Sequence, residues 1–290
     1  MRKKVLCLIL LSIFVLASCK AGEEKPMEKE KKEELPKPLV SMEEKLDEIF
    51  KDIEKIQKEK EKPEEPKKEE KKDKEESKDK EKDQQGEEQG KGGEDKKKEE
   101  KKDKEKDKET TKEEKINKMW QQLDKSISAV HEGWNSYESK AVKDGVMEED
   151  LSKFEDSINK ATVMITEKKD METLQYLNNG TFYMAKFFDL YRDHPDGDIV
   201  RMKYMIRQIY LDGTVGNTTR MNEIISGLET GFSRLNQRVE LGKGNKELMD
   251  KLKLSLDNLK IATNEKNPKL LMIKRDIALK NLEKIREEAK

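Results

Sequence analysis

Few residues in this chain have the side-chain chemistry that catalysis or metal binding usually requires. The 290 residues include two histidines, His131 and His194, and two cysteines, Cys7 and Cys19. A zinc site built on imidazole would need both histidines together with carboxylates, and each histidine is better explained by a structural or solvent-facing role. Residues 213–218 contain two glycines but follow no predicted strand, so they indicate a turn between helices rather than a phosphate-binding loop. The sequence therefore predicts no catalytic residue, no metal site, no cofactor and no enzymatic activity.

Cys19 has a more specific context. It directly follows Leu16-Ala17-Ser18, after a basic start at residues 1–4 and an apolar run over residues 5–16. That run is too short for a helix to cross a hydrocarbon core of about 30 Å, so residues 1–18 predict a signal peptide. The order Leu-Ala-Ser-Cys is typical of the bacterial lipobox, whose cysteine sulfur carries the lipid and whose cysteine becomes the mature N-terminus. We expect Cys19 to be lipidated and to anchor the chain in a membrane. An ordinary secretory signal that happens to contain a cysteine is the alternative.

Charge is distributed unevenly along the chain. Residues 115–198 contain 11 Lys and Arg against 16 Asp and Glu, a net charge of −5, whereas residues 201–290 contain 19 against 12, a net charge of +7. A basic half suits a polyanion such as DNA or a glycosaminoglycan, although the solvated faces of ordinary helices carry similar clusters. The candidate polyanion-binding residues are Arg201, Lys203, Arg207, Lys243, Lys246, Lys251, Lys253, Lys266, Lys269, Lys274, Arg275 and Lys280.

The elements that must position these residues begin with one short helix. After a linker at residues 19–38, an apolar repeat predicts an amphipathic helix over residues 39–60, and Ser41 with Glu44 has the spacing of a capping box. This helix could pack on the distal domain, self-associate or lie on a membrane, and we expect it to pack on the distal domain. The repeat consists of Leu46, Ile49, Phe50, Ile53 and Ile56.

A charged segment separates this helix from the rest of the chain. Between Gln57 and Lys115 there is no aliphatic, aromatic, Met or Cys residue. Such a segment cannot bury apolar surface to offset the backbone entropy lost on ordering. Residues 61–114 therefore predict a disordered tether rich in Lys and Glu, which would hold the following domain away from the membrane.

Residues 115–290 predict an all-α domain. Their short turns favour antiparallel neighbours, and hence a bundle of about five to seven helices. Pro268 is placed to be the first residue of the last helix. The aromatic residues at 182–191 are expected in the core, with an exposed patch as the alternative. Seven apolar repeats are recognisable, over residues 116–137, 151–165, 174–191, 199–209, 221–239, 248–259 and 270–285.

Taken together, Lys3-Lys4, the Leu-Ala-Ser-Cys motif, the Lys/Glu tether and the cysteine-free helical domain resemble the plasmid-encoded surface lipoproteins of Borrelia spirochaetes. Within these, the helix from Trp120 to Tyr137 and the helix ending at residues 194–197 resemble paralogous family twelve. The resemblance implies an α-helical domain that binds DNA without sequence specificity, displayed on the outer membrane at the cell surface. It matches no binding residue of the family to a position in this chain.

Two hypotheses about function follow. The first is polyanion binding through the basic half, with DNA as the first candidate and a glycosaminoglycan as the second. The second is an adhesin or immune-evasion module that binds a host protein, such as an extracellular-matrix or complement component, through an apolar or aromatic groove. Salt should separate them, because polyanion binding releases counterions and weakens steeply with salt.

The anchor can be tested directly. Replacing Cys19 by Ala should release the protein from membranes, because the remaining mature chain has no apolar run long enough to insert. Detergent phase partitioning combined with labelled palmitate measures the effect. A wild-type chain that takes up no label would contradict the lipoprotein hypothesis.

Overall fold

The computed structural model describes residues 34–63, 111–239 and 243–289, except for the side chains of residues 243–245. This part of the chain is helical without any strand, which confirms the all-α class. The predicted signal peptide, Cys19 and residues 64–110 of the predicted tether lie outside it. Its eight α-helices are α1 (Lys37–Glu61), α2 (Lys112–Lys143), α3 (Glu148–Thr166), α4 (Asp170–Phe188), α5 (Asp196–Val215), α6 (Thr218–Arg238), α7 (Lys243–Ala262) and α8 (Pro268–Glu288), with a 3₁₀ turn at Thr263–Glu265 before α8.

Helix α5 is the centre of the bundle. It packs against α4, α6 and α8, and 16 of its 20 residues are buried. A helix that is buried on nearly every side needs apolar residues around most of its circumference, and α5 has them from Ile199 to Leu211. The remaining contacts join α1 to α2 and α4, α2 to α3, α3 to α4, α7 to α8 and, more sparsely, α6 to α7. Helices α7 and α8 therefore form a hairpin that joins the bundle mainly through α8.

Helix α1 is part of the same core. Its predicted apolar repeat is buried together with Leu39 and Met42. This confirms the prediction that the helix packs on the distal domain. Helices α1 and α2 approach closely where Gly133 faces Met42, since a Cβ at Gly133 would come within 2.5 Å of Met42 Cγ. The described residues from Leu35 onward form one compact unit, and the bundle therefore begins well before residue 115.

Three of the described helices begin with a side-chain cap, α2 at Thr111, α6 at Asn217 and α8 at Asn267. Asn267 caps α8 by accepting a hydrogen bond from the Leu270 amide at 3.0 Å, and Pro268 is the first helical residue, as predicted. The capping box predicted at Ser41 and Glu44 is wrong, because α1 already begins at Lys37 after Pro36. Proline fixes a backbone angle suited to a helix start and needs no amide partner there, so the helix extends one turn further than the polar spacing indicated.

The two ends of the charged segment lie side by side. Lys112 Nζ donates to the carbonyl oxygen of Lys60 at 2.7 Å, and Lys115 pairs with Glu59 at 2.9 Å. The described residues on either side of the 47-residue segment at 64–110 therefore belong to the same part of the bundle. The spacing role predicted for residues 64–110 lies outside the described residues. Because α1 precedes this segment and already belongs to the bundle, the chain from Cys19 reaches the bundle at α1 before the segment begins.

Shortening this segment should stabilise the fold. Replacing residues 64–110 by a six-residue Gly-Ser linker should raise the free energy of unfolding by about 2 kcal/mol, because closing a shorter loop costs less entropy. Urea unfolding followed by helical circular dichroism measures the change. A 47-residue Gly-Ser replacement is the matched control and should leave the stability near that of the natural chain. A clear loss of stability in both replacements would show that the charged segment contributes contacts of its own.

Candidate binding face on the C-terminal hairpin

Three of the predicted polyanion-binding residues are not on the surface. Lys203, Arg207 and Arg275 are 4 %, 3 % and 1 % exposed. A phosphate or sulfate group outside the protein cannot reach a guanidinium or ammonium that is enclosed by other side chains. These three residues are therefore removed from the predicted binding surface, and Arg201, whose side chain is 20 % exposed, is engaged with two aspartates.

The buried cations meet acids from α1. Lys203 on α5 pairs with both Glu43 and Asp47, and Arg207 pairs with Asp47 at 2.8 Å. Burial alone would raise the pKa of Asp47, but the neighbouring Arg207 and Lys203 outweigh it and lower that pKa to about 2. The contribution of Asp47 to stability is therefore complete above about pH 4 and is lost as the pH falls towards 2, because the folded pKa lies below the unfolded value of roughly 3.9.

Helix α8 joins α1 by the same kind of contact. Arg286 pairs with Glu43 at 2.7 Å and with Asp196, at the start of α5, at 2.9 Å. About three helical turns earlier in α8, Arg275 pairs with Glu54. Because the pairs Glu43–Arg286 and Glu54–Arg275 run in opposite directions along the two helices, α1 and α8 are antiparallel.

Aromatic rings complete the surroundings of two of these arginines. The guanidinium of Arg207 lies 4.3 Å from the centre of the Phe50 ring, and that of Arg275 lies 4.2 Å from the centre of the Tyr210 ring. A guanidinium over an aromatic face gains electrostatic attraction that grows when water is excluded. Arginine thus keeps its charge in the interior without leaving its flat faces exposed to aliphatic side chains.

A second cluster of arginines surrounds Asp198, which is 2 % exposed. Arg201, Arg234 and Arg238 approach its carboxylate at 3.0, 2.9 and 3.3 Å, and Arg201 also pairs with Asp189. These contacts fasten α6 to the start of α5. The three arginines are held by acids of the chain itself.

The ion pairs account for the positive charge of the C-terminal half. Seven cations in residues 201–290 pair with six acids that precede residue 201, and subtracting these six neutralised charges from the net charge of +7 leaves +1. Most of the excess positive charge of residues 201–290 is therefore paired with acids inside the fold. The seven are Arg201, Lys203, Arg207, Arg234, Arg238, Arg275 and Arg286.

The predicted lysines that stay exposed all lie on the α7–α8 hairpin. They are Lys246, Lys251, Lys253, Lys266, Lys269 and Lys280, with Lys274 half-buried; the side chain of Lys243 lies outside the described residues. Lys253 Nζ is 5.6 Å from the Phe232 ring of α6, which directs it to the side of α7 away from α8. Lysines 251, 274 and 280 share a different side of the hairpin, where Lys284, which the sequence did not single out, joins them.

We call this side the hairpin face. Helical spacing places its ten members on one side of each helix. Two exposed acids share that side at the open end of the hairpin, Glu247 four residues before Lys251 and Glu288 four residues after Lys284. The Asn281 side-chain amide donates to the Lys251 carbonyl oxygen at 3.3 Å, which joins the two helices at this level. The hairpin face consists of Lys251, Leu254, Asn258 and Ile261 on α7 and Ile273, Lys274, Ile277, Lys280, Asn281 and Lys284 on α8.

A shallow groove runs along the seam of the hairpin face. Its volume is about 170 Å³, and its lining includes Lys251 and Leu254 from α7 and Lys274 and Ile277 from α8. Leu254 is 63 % exposed and Ile277 is 45 % exposed. The groove is too small for a folded partner to enter, so the face offers a broad contact surface of ammonium groups and aliphatic side chains.

Acidic residues border the hairpin face on α7. Glu247 pairs with Lys251 at 2.6 Å, and both side chains are more than half exposed, so the pair contributes little energy. Asp250 and Asp257 flank Leu254 on its side away from α8, as their helical positions require. The positive character of the face is therefore strongest along α8.

The remaining candidates have structural explanations. His131 is half-buried with Nε2 2.9 Å from Thr162 Oγ1, and burial lowers its pKa although Glu155 acts in the opposite direction. Of the aromatic group at 182–191, Phe187, Phe188 and Tyr191 are buried, which confirms a core position for them. Phe182 and Tyr183 are partly buried, and Lys186 covers both rings.

The buried charges that the sequence analysis did not identify have a recognisable spacing in the sequence. Glu43 lies four residues after Leu39 and three before Leu46, and Arg275 lies four residues after Leu271 and three before Ala278. A charged residue in phase with an apolar stripe must be buried with a partner or placed at its edge. Matching each acid in such a position with a cation in such a position would have distinguished the buried cations from the exposed ones.

The interior pairs can be tested by removing one charge. Replacing Lys203 by Met should lower the free energy of unfolding by about 3–5 kcal/mol, because it leaves Glu43 and Asp47 short of a buried partner. The exposed Lys125→Met on α2 is the matched control and should change stability by less than about 0.5 kcal/mol. Urea unfolding midpoints measure both. Equal, small effects would contradict the described pairing.

Residues 34–63, 111–239 and 243–289 contain neither a bilayer-spanning helix nor a metal-holding cluster. None of these helices is long and apolar enough to cross a membrane. Nor do the same residues bring three or more His, Cys, Asp or Glu side chains together in a way that could hold a metal ion. No protein-family model, curated protein or solved structure matches the chain.

Proposed function

We propose that this protein is a lipid-anchored, non-catalytic binding protein whose hairpin face binds polyanions. DNA without sequence preference is the first candidate ligand and a heparin-like glycosaminoglycan is the second. The observation that supports this most directly is the convergence of Lys251, Lys274, Lys280 and Lys284 on one side of the hairpin, where the exposed acids Glu247 and Glu288 lie beyond them at its open end. Lys274 and Lys284 are about 15 Å apart along α8, a length over which a polyanion presents several charges.

The type of cation supports binding without sequence preference. The arginines of the hairpin, Arg275 and Arg286, are both buried, so lysines alone carry the positive charge of the face. A lysine ammonium is a point charge that binds phosphate or sulfate, whereas bidentate recognition of a base edge usually requires arginine, asparagine or glutamine. Contacts of this kind position a polyanion without distinguishing its sequence.

The anchor supports a location at the membrane surface. With lipid on Cys19, at most about 60 Å of chain separates the anchor from Lys37 even when fully extended. The segment at 64–110 adds nothing to this distance because it follows α1 in the chain. The domain would therefore work close to the outer membrane surface, which is the localisation that we propose.

Salt titration tests polyanion binding. The chain should shift duplex DNA and bind immobilised heparin at low salt, and the slope of log affinity against log salt should be roughly −3 to −4, since each phosphate contact contributes about −0.9. Replacing Lys251, Lys274, Lys280 and Lys284 by Gln should weaken binding to every DNA sequence alike and flatten the slope towards zero.

Four exposed lysines elsewhere provide the matched control. Replacing Lys118, Lys125, Lys153 and Lys160 by Gln removes the same charge from α2 and α3 and should change affinity only slightly. An equal loss in both variants would indicate a general charge effect rather than a site. Absence of any complex with either polyanion at low salt would overturn the proposal, and salt-insensitive capture of a host protein would favour the adhesin hypothesis.

A further inference from the structure

Polyanion binding leaves part of the hairpin face unexplained. Leu254, Ile261, Ile273 and Ile277 are 63 %, 60 %, 44 % and 45 % exposed. A phosphate or sulfate backbone offers these side chains no apolar surface to bury. Aliphatic groups exposed together and bordered by lysines are instead typical of surfaces that bury apolar area on binding.

The pattern on α8 matches that of helices lying at a membrane interface. Ile273 and Ile277 are one turn apart on one side of the helix, with Lys274, Lys280 and Lys284 around them. Interfacial helices place aliphatic side chains at the level of the acyl boundary while their lysines reach the anionic headgroups. The shallow groove also makes the face broad rather than concave, which suits a planar partner.

The course of the chain brings this face near a bilayer. Helices α1 and α8 are antiparallel, so Lys37, at the start of α1, lies at the end of the bundle where α8 finishes and where Lys280 and Lys284 are found. The residues that lead back to Cys19 begin at that end. A lipid on Cys19 would keep Lys37, at this end of the bundle, within about 60 Å of the headgroups.

We propose that the hairpin face docks on the anionic surface of the bilayer that holds the anchor. This inference rests on the proposed function, since it names the anionic partner of the same face. The lysines contact headgroup phosphates, and the four aliphatic side chains enter the boundary between headgroups and acyl chains. Asp250 and Asp257 at the border keep the interaction weak, so docking is reversible and depends on the anchor for proximity.

Vesicle binding tests the inference. The full mature chain carrying Cys19→Ala, which excludes any acyl contribution, is mixed with phosphatidylcholine vesicles that contain about 30 % phosphatidylglycerol, and with pure phosphatidylcholine vesicles. Co-sedimentation should detect binding to the anionic vesicles alone. Replacing Lys274, Lys280 and Lys284 by Gln should reduce this binding by about five-fold for each lysine. The double variant Asp250→Asn, Asp257→Asn should strengthen it.

The aliphatic side chains separate a bilayer from a soluble polyanion. The double variant Leu254→Gln, Ile277→Gln should reduce vesicle binding more than about ten-fold, because it removes apolar area that enters the lipid, and should leave heparin binding within about two-fold. Both positions are exposed and Gln is a good helix former, so circular dichroism should be unchanged. The double variant Val142→Gln, Val163→Gln, at exposed positions outside the face, is the matched control and should alter neither binding.

The outcomes distinguish this inference from the proposed function. Heparin or DNA binding without binding to anionic vesicles overturns the bilayer as partner and leaves polyanion binding in place. Vesicle binding that is unaffected by Leu254→Gln, Ile277→Gln also overturns it, because the contact would then be electrostatic alone. Failure to bind either heparin or anionic vesicles overturns both proposals.

Discussion

The structure depends on one constraint: a charged side chain can be buried only together with its partner. Lys203, Arg207, Arg275 and Arg286 are enclosed in the bundle, and an unpaired charge in that position would cost several kcal/mol. Their acids come mainly from α1. Helix α1 is therefore required by the interior of the bundle, both for its apolar stripe and for its carboxylates, and it fixes how α5 and α8 lie relative to each other.

The same constraint decides what remains available for binding. Once the interior pairs and the arginines around Asp198 are accounted for, the basic half keeps a net charge of only +1. What it retains is a local arrangement, in which lysines and aliphatic side chains of α7 and α8 share one side of a hairpin at the edge of the bundle. The proposed binding therefore depends on that face and not on a generally basic domain.

Spacing in the sequence was sufficient to predict the helices, because amphipathic helices repeat their apolar residues at regular intervals. It located the α1 stripe, the seven later helices and the start of α8 at Pro268. It could not tell that Arg275 is interior while Lys274, its neighbour, lines the surface groove, since charge counting treats the two alike. That difference depends on Glu54, which lies more than two hundred residues away in the sequence and adjacent in the fold.

The long sequence separation of these pairs has a consequence for when the protein can fold. Glu43 and Arg286 are 243 residues apart, and Lys203 is 160 residues from Glu43. A chain emerging N-terminus first carries α1 from the beginning, but the partners of its interior acids are complete only when the last helix has been made. Contacts that span nearly the whole chain form slowly. Such a delay suits a polypeptide that crosses a membrane before it folds. Its first helix cannot bury its apolar and acidic side chains in a complete core until its last helix has been made.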